Sequence, residues 1–302
     1  HAYGGDRETE GVEQQRGERE SKRMESFSFS ALEAEVLHCG PAPGPLDVLL
    51  FKIFLVFGVF TFLFVCFVQA PYGKHLPAKR AFWEGPRING YVAWVIMEGV
   101  SPMALIAAFF LGLPSVKSVD SLTVALVLFT LWIQHYVYRT IVYPMRCPSM
   151  GTSTSVVLLA GVVFNFLNGW LNGRYITCFL TLPLHHLLSF NFLAGLAVFI
   201  FGAYITRSSE RILQSLRKPG ERGYKIPTGG FFHYVSCPHY LGETVQWMGF
   251  AMCTNYNSAA LLFFMNTVLN LWPRAVHSHK WYLEKFKEDY PKERKAIVPY
   301  LL

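Results

Sequence analysis

Long apolar blocks, spaced along most of this chain, decide what it can fold into. A helix needs about 20 apolar residues to cross the hydrocarbon of a bilayer. Blocks near that length cover 46–69, 88–113, 119–143, 154–171 and 183–206. Two shorter blocks, 240–256 and 258–272, are joined by Tyr256-Asn257-Ser258 and read as a tight helical hairpin. The expectation is an all-α integral membrane protein with seven transmembrane helices, six being the fallback count.

Charge placement tests that count, because Lys and Arg crowd the cytosolic side of a membrane protein. Most of the 27 basic residues fall after the first, third, fifth and seventh blocks: Lys74, Lys79, Arg80 and Arg87; Arg139 and Arg146; Arg207 through Lys225; and Arg274 through Lys295. The opposite loops hold only Lys117 and Arg174. Seven spans therefore put the N-terminus in the lumen and the C-terminus in the cytosol. Six would strand one basic block on the wrong side. The expected organisation is a polar tail over 1–45 and a membrane domain over 46–302. That domain carries a cytosolic loop, 207–238, and a C-terminal tail, 274–302. Residues 1–23 are polar and lack apolar periodicity, so they read as disordered. They also read as an upstream extension, with Met24 as the more plausible start. The six cysteines include no CxxC pair, and Cys66 and Cys253 lie inside apolar blocks. Neither a structural disulfide nor a zinc site is expected.

The chemistry starts at Glu98, near the centre of the second block. Keeping an acid at that depth costs roughly 2.5–3.5 kcal/mol on insertion scales for comparable groups, so it implies a site within the membrane. The third block ends in Gln134-His135-Tyr136-Val137-Tyr138-Arg139. Tyr136 and Arg139, three apart, share a helix face. A phenol facing a buried acid suits the polarisation of a carbonyl in a dry pocket; the plainer alternative is a helix-packing hydrogen bond. Among the cytosolic bases stand acids and aromatics: Glu210 beside Arg211, Tyr224 before Lys225, and Tyr282. That mixture suits a polyanionic nucleotide, although membrane topology alone also explains the bases. No G-x-G-x-x-G follows a strand, so any nucleotide sits between helices and loops and not on a Rossmann domain. His239 and Glu243 lie where Ser236-Cys237-Pro238 enters a span, and Glu243 also fits a simple helix cap. Tyr282, Phe286 and Tyr290, at i, i+4 and i+8, form a stripe suited to the membrane surface or to a cofactor site. His185-His186, His233, His277 and His279 lack metal-ligand spacing, so no metal is expected.

These residues resemble the steroid 5α-reductase family, and most nearly its plant-type, brassinosteroid-synthesis branch. The resemblance covers about 46–302. It rests on Pro71-Tyr72-Gly73-Lys74-His75, on Leu216-Arg217-Lys218-Pro219-Gly220 with Gly223-Tyr224-Lys225-Ile226-Pro227, and on Val235-Ser236-Cys237-Pro238 with Gly242-Glu243. Pro273-Arg274-Ala275, His279-Lys280-Trp281-Tyr282 and Tyr290-Pro291-Lys292 complete it. It implies a seven-helix enzyme of the endoplasmic reticulum that uses NADPH to reduce the Δ4 double bond of a 3-oxo steroid. The cavity would open to the cytosol, and the protein would act as a monomer without metal or nucleic acid. The resemblance assigns Glu98 and Tyr136 to the steroid's 3-keto group. It carries the cofactor to Tyr143, Arg217, Lys225, Glu243, Arg274 and Tyr282, with Trp94 near the nicotinamide. Arg139 and Tyr224 join the expected cofactor set. So do Thr206, Glu210 and His239, which stand where the family commonly has Asn, Asp and Asn. Gln246 replaces a second acid in the sixth helix.

A trans-2-enoyl-CoA reductase is the nearest rival; Tyr72-Gly73-Lys74-His75 and Gly242-Glu243 favour the steroid branch over it and over a polyprenol reductase. An S-adenosylmethionine-dependent membrane methyltransferase would not need Glu98 and Tyr136. A transporter with Glu98 as ion relay would not need the cytosolic set from Arg207 onward.

Overall fold

The computed structural model describes residues 39, 42–79, 81–217, 221 and 223–302. The 1–23 segment and the Met24 start lie outside the described residues, as do most of the tail before Pro45 and residues 218–220. Among the described residues, seven long helices carry the chain: α1 (Pro45–Phe67), α2 (Gly90–Gly112), α3 (Val119–Val137), α4 (Ser155–Arg174), α5 (Phe190–Ser215), α6 (Pro238–Cys253) and α7 (Ser258–Phe286). Among the described residues, six helical stretches are long and apolar enough to cross a membrane. The seventh, α6, has 16 residues, about 24 Å at 1.5 Å per residue. It falls short of the hydrocarbon thickness by itself and packs along α5. Six helices meet the length and hydropathy of a full span, against the expected seven; α6 is the block that falls short.

Several helices outrun their apolar blocks. α5 starts at Phe190, where the Ser189 hydroxyl caps Phe192 N, and continues to Ser215. Residues 184–188 are instead a 3-10 turn. α7 runs fourteen residues past the apolar block ending at 272, so much of the expected C-terminal tail is helix. α3 passes through a π-turn, Tyr138–Val142, into a last turn, Tyr143–Arg146. π-bulges often mark functional positions in a helix. A short antiparallel ribbon of β1 (Arg87–Asn89) and β2 (Thr152–Thr154) pairs Arg87 with Thr154 and Asn89 with Thr152. It ties together the starts of α2 and α4, and Asn89 also caps α2 through Tyr91 N and Val92 N.

Two helix pairs pack most extensively, α5 on α6 and α2 on α4. Hydrophobic driving force between helices is weak in lipid, so close backbone approach at small residues does much of the holding. A Cβ on Gly202 would lie 2.3 Å from Gln246 N, and one on Gly249 2.3 Å from Phe199 N. An aromatic core of Trp132, Trp247, Phe250 and Phe263 fills the centre, with ring centroids 4.4–5.8 Å apart.

The end of the bundle opposite the basic loops is clamped. Arg174 donates to Asp47 through Nε at 3.2 Å and Nη2 at 3.0 Å, and both residues are fully buried. Cys39 and Cys178 form a disulfide beside this pair, which corrects the expectation of none. The partners are 139 residues apart in sequence, and no spacing pattern announces them.

Candidate active site

Several buried polar residues of the membrane region gather in one layer. Arg139, at the π-turn of α3, donates from Nη2 to Glu98 of α2 at 3.0 Å and from Nη1 to Glu210 of α5 at 2.8 Å. All three are buried. The guanidinium lies over the Trp94 ring at 4.5 Å and the Tyr143 ring at 5.3 Å, while Trp94 Nε1 donates to the Arg139 carbonyl at 2.9 Å. Five expected site residues, Trp94, Glu98, Arg139, Tyr143 and Glu210, thus form a single cluster. Glu243, one turn into α6, is within electrostatic reach of Glu98, Arg139, Glu210 and Arg274.

Tyr136 is buried too, at 3% exposure, but its hydroxyl bonds to α4. It donates to Asn165 Oδ1 at 3.3 Å and accepts from Asn168 Nδ2 at 2.9 Å. The acid and the phenol therefore have separate partners, arginine for one and amides for the other. The asparagines were absent from the expected set. Their signal is Asn165, Asn168 and Asn172, a one-faced polar stripe at i, i+3 and i+7 within an apolar helix. Gln246 accepts from His135 Nδ1 at 3.1 Å.

Beyond this layer, at the end of the bundle that carries the basic loops, a cavity of about 310 Å³ is lined by Tyr72, Lys74, His75, Arg217, Tyr224, Lys225, His239, Tyr240 and Tyr282, among others. Five expected cofactor residues, Arg217, Tyr224, Lys225, His239 and Tyr282, line it. Arg274 stands behind its wall. Arg274 donates to the Tyr72 hydroxyl and lies over the Tyr72 and Tyr240 rings at 4.9 and 5.4 Å. Thr206 sits apart, bonding the Gly202 carbonyl at 3.0 Å and the His239 carbonyl at 3.4 Å, so it braces the start of α6. The Tyr282, Phe286 and Tyr290 stripe turns inward: Tyr282 and Tyr290 stack at 5.3 Å and are buried. Tyr290 and Arg294 belong to a tail pinned by Ser236 N to Lys295 O at 2.8 Å and Cys237 N to Ala296 O at 3.1 Å.

Burial and charge tune the cavity wall. Lys74 is half-buried with its Nζ 4.1 Å from the Tyr282 ring and 4.8 Å from the Trp281 ring. Burial pulls its ammonium below the ordinary lysine value. Burial first, then the charges of Lys74, Arg274 and His277, push His75 down to about 4. Burial raises the Cys237 thiol. Three buried nitrogens here have no protein partner: His75 Nδ1, His239 Nδ1 and Arg274 Nε. Unpaired buried polar groups cost free energy, so these three nitrogens are open to a polar ligand. No group of three or more His, Cys, Asp or Glu among the described residues is arranged to hold a metal.

A family profile described as 3-oxo-5-alpha-steroid 4-dehydrogenase matches residues 152–302. Steroid 5-alpha-reductase DET2 of Arabidopsis thaliana is 39% identical over 243 residues, covering 78% of this chain and 88% of that protein. The chain belongs to the 3-oxo-5-alpha-steroid 4-dehydrogenase family.

Other steroid 5α-reductase relatives agree. DET2 of Gossypium hirsutum is 40% identical over 80% of this chain and 92% of its own length. 3-oxo-5-alpha-steroid 4-dehydrogenase 1 of Rattus norvegicus is 37% identical over 78% and 87%. This is an oxidoreductase family acting on CH–CH bonds. The buried layer and the base-lined cavity together make the candidate site, with Glu243 within electrostatic reach of Glu98 in the one and of Arg274 behind the wall of the other.

Proposed function

We propose that this protein reduces the Δ4 double bond of a 3-oxo steroid or sterol with NADPH. The observation that carries the reading is the adjacency, in a chain of this family, of a buried phenol and acid layer to a base-lined cavity. The cavity residues fit the cofactor. Lys74, Arg217, Lys225 and Arg274 suit its phosphates, Tyr224 and Tyr282 suit an aromatic face, and the unpaired His75, His239 and Arg274 nitrogens suit its acceptors. Trp94, Tyr143 and Glu243 would hold its nicotinamide end. Bound there, NADPH supplies the hydride that C5 of the enone receives.

The chain's own residues then manage the charge that moves onto the 3-oxygen. Tyr136 donates a hydrogen bond to that oxygen as it becomes an enolate. Glu98, held in place by Arg139, completes the polar end of the pocket as the companion acid. C4 takes its proton from water, which yields the saturated ketone. The apolar walls exclude other water and strengthen these interactions. One such donor is worth roughly 2.7–4 kcal/mol by analogy with oxyanion holes.

The protein works as a monomer in the endoplasmic reticulum, with its N-terminus lumenal and its C-terminus cytosolic. The Cys39–Cys178 disulfide supports that orientation: it lies at the end opposite the basic loops, and disulfides persist in the oxidising lumen. Purified protein given NADPH with progesterone, testosterone, campest-4-en-3-one or an enoyl-CoA tests the reading by product mass. A steroid gaining two hydrogens is expected, and Tyr136→Phe and Glu98→Gln each slow it by orders of magnitude while remaining folded. Reduction of the enoyl-CoA alone, or near-normal turnover in both variants, overturns it.

A further inference from the structure

Tyr136 and the three α4 asparagines carry one inference more. Asn172 donates through Nδ2 to two oxygens of Asn168: the backbone carbonyl at 3.0 Å and Oδ1 at 3.2 Å. An amide oxygen in that place would face two acceptors, so the Asn172 side chain has one stable orientation. Its grip on Asn168 Oδ1 turns the Asn168 Nδ2 toward Tyr136, 2.9 Å from the hydroxyl oxygen. The ladder keeps this direction although Asn172 Oδ1 itself is buried without a partner. Asn168 and Asn172 are fully buried, so water does not compete for these bonds.

A phenol hydroxyl has one hydrogen to donate. With its oxygen already accepting from Asn168, Tyr136 must send that hydrogen elsewhere, and here it goes to Asn165 Oδ1 at a long 3.3 Å. We propose that Asn168 is a positioning residue: by donating to the Tyr136 oxygen it commits the phenol to act as a donor and steadies the negative charge that gathers on that oxygen when the phenol hydrogen-bonds a developing enolate. The weak Asn165 contact is the resting acceptor, which a substrate oxygen replaces. Chained hydrogen bonds strengthen one another in a low-dielectric interior, so the gain is largest in the transition state. The inference rests on the reading of Tyr136 as the donor to the substrate's 3-oxygen.

The test is a double-mutant cycle on purified full-length protein with NADPH and testosterone. Asn168→Asp keeps the shape and the Asn172 contact but replaces the donor with an acceptor, to which Tyr136 would then donate. The expected loss in kcat is on the order of 10- to 100-fold, the range for outer partners that hold a functional group. KM for NADPH stays near wild type. In the Tyr136→Phe background the same change has no further effect on kcat, which a merely structural residue would not produce. Asn168→Ala takes the place of Asn168→Asp should the latter not fold. Wild-type turnover in the Asn168 variant, or losses that multiply independently of Tyr136, overturns the inference and leaves the reductase reading intact. Wild-type turnover in Tyr136→Phe alone sinks the reading of Tyr136 and this inference with it.

Discussion

Arg139→Met is the perturbation that this structure makes most costly. Arg139 is the shared cation for Glu98 at 3.0 Å and Glu210 at 2.8 Å, and Glu210 retains only 2% exposure. Methionine fills similar volume and keeps the packing on Trp94 and Tyr143, so the loss isolates charge. Removing one member of a buried pair costs roughly 3–5 kcal/mol because the remaining charge is left uncompensated. Here two acids are left, with Glu243 within reach of the same guanidinium. The expected loss is therefore at the upper part of that range. At about 2–4 °C per kcal/mol for chains of comparable size, the melting temperature falls by about 10 °C or more. The triple change Arg139→Met, Glu98→Gln, Glu210→Gln replaces the ions with neutral groups and recovers most of the loss. Tryptophan fluorescence during heating in detergent, without cofactor, reads both effects. A single variant that melts within about 2 °C of wild type, or a triple variant no more stable than the single, refutes the claim that this ion layer is held by Arg139.

Two further outcomes follow from other parts of the molecule. Peptide mapping of unreduced protein should recover Cys39 joined to Cys178, and Cys39→Ser should lower stability by about 2–4 kcal/mol, the usual range for a native disulfide; alkylation of both thiols without reductant contradicts the pairing. His75 titrates at about 4 in the folded protein, because of burial and then its cationic neighbours, against about 6.5 when unfolded. The unfolded chain therefore binds the extra proton between those values, so the contribution of neutral His75 is complete above about pH 6.5 and is lost as pH falls toward 4. The melting temperature should drop across that window, and His75→Gln should flatten the drop; equal drops in the two proteins contradict it.

Hydropathy located the helices because lipid contact selects apolar residues, and every expected block has its helix. It misplaced ends where lipid contact and helix stop at different points. α5 continues to Ser215 and α7 to Phe286 because their last turns pack on protein, Leu213 and Tyr282 standing on the cavity wall. Glu98 stood out because an acid is conspicuous in an apolar block. Its partner did not, since Arg139 at a span end reads as part of the basic rim, and only the π-turn and the packing of α2, α3 and α5 aim it inward. The asparagines of α4 are less conspicuous than charges and acquire meaning only beside Tyr136. The inward turn of Tyr290, on which Tyr282 stacks, goes with its hydrogen bond to the Ser236 hydroxyl, a contact far from local in sequence. The Cys39–Cys178 pair was illegible for the same reason: nothing near either cysteine marks the other.

Isotope tracing tests the central claim most directly. Purified protein is incubated with testosterone and NADPH deuterated at the transferable C4 position of its nicotinamide, and the product is mapped by NMR. The account requires one deuterium at steroid C5 and a solvent-derived hydrogen at C4. Product with deuterium elsewhere, or an enone left unreduced while the folded protein binds the labelled cofactor, contradicts it.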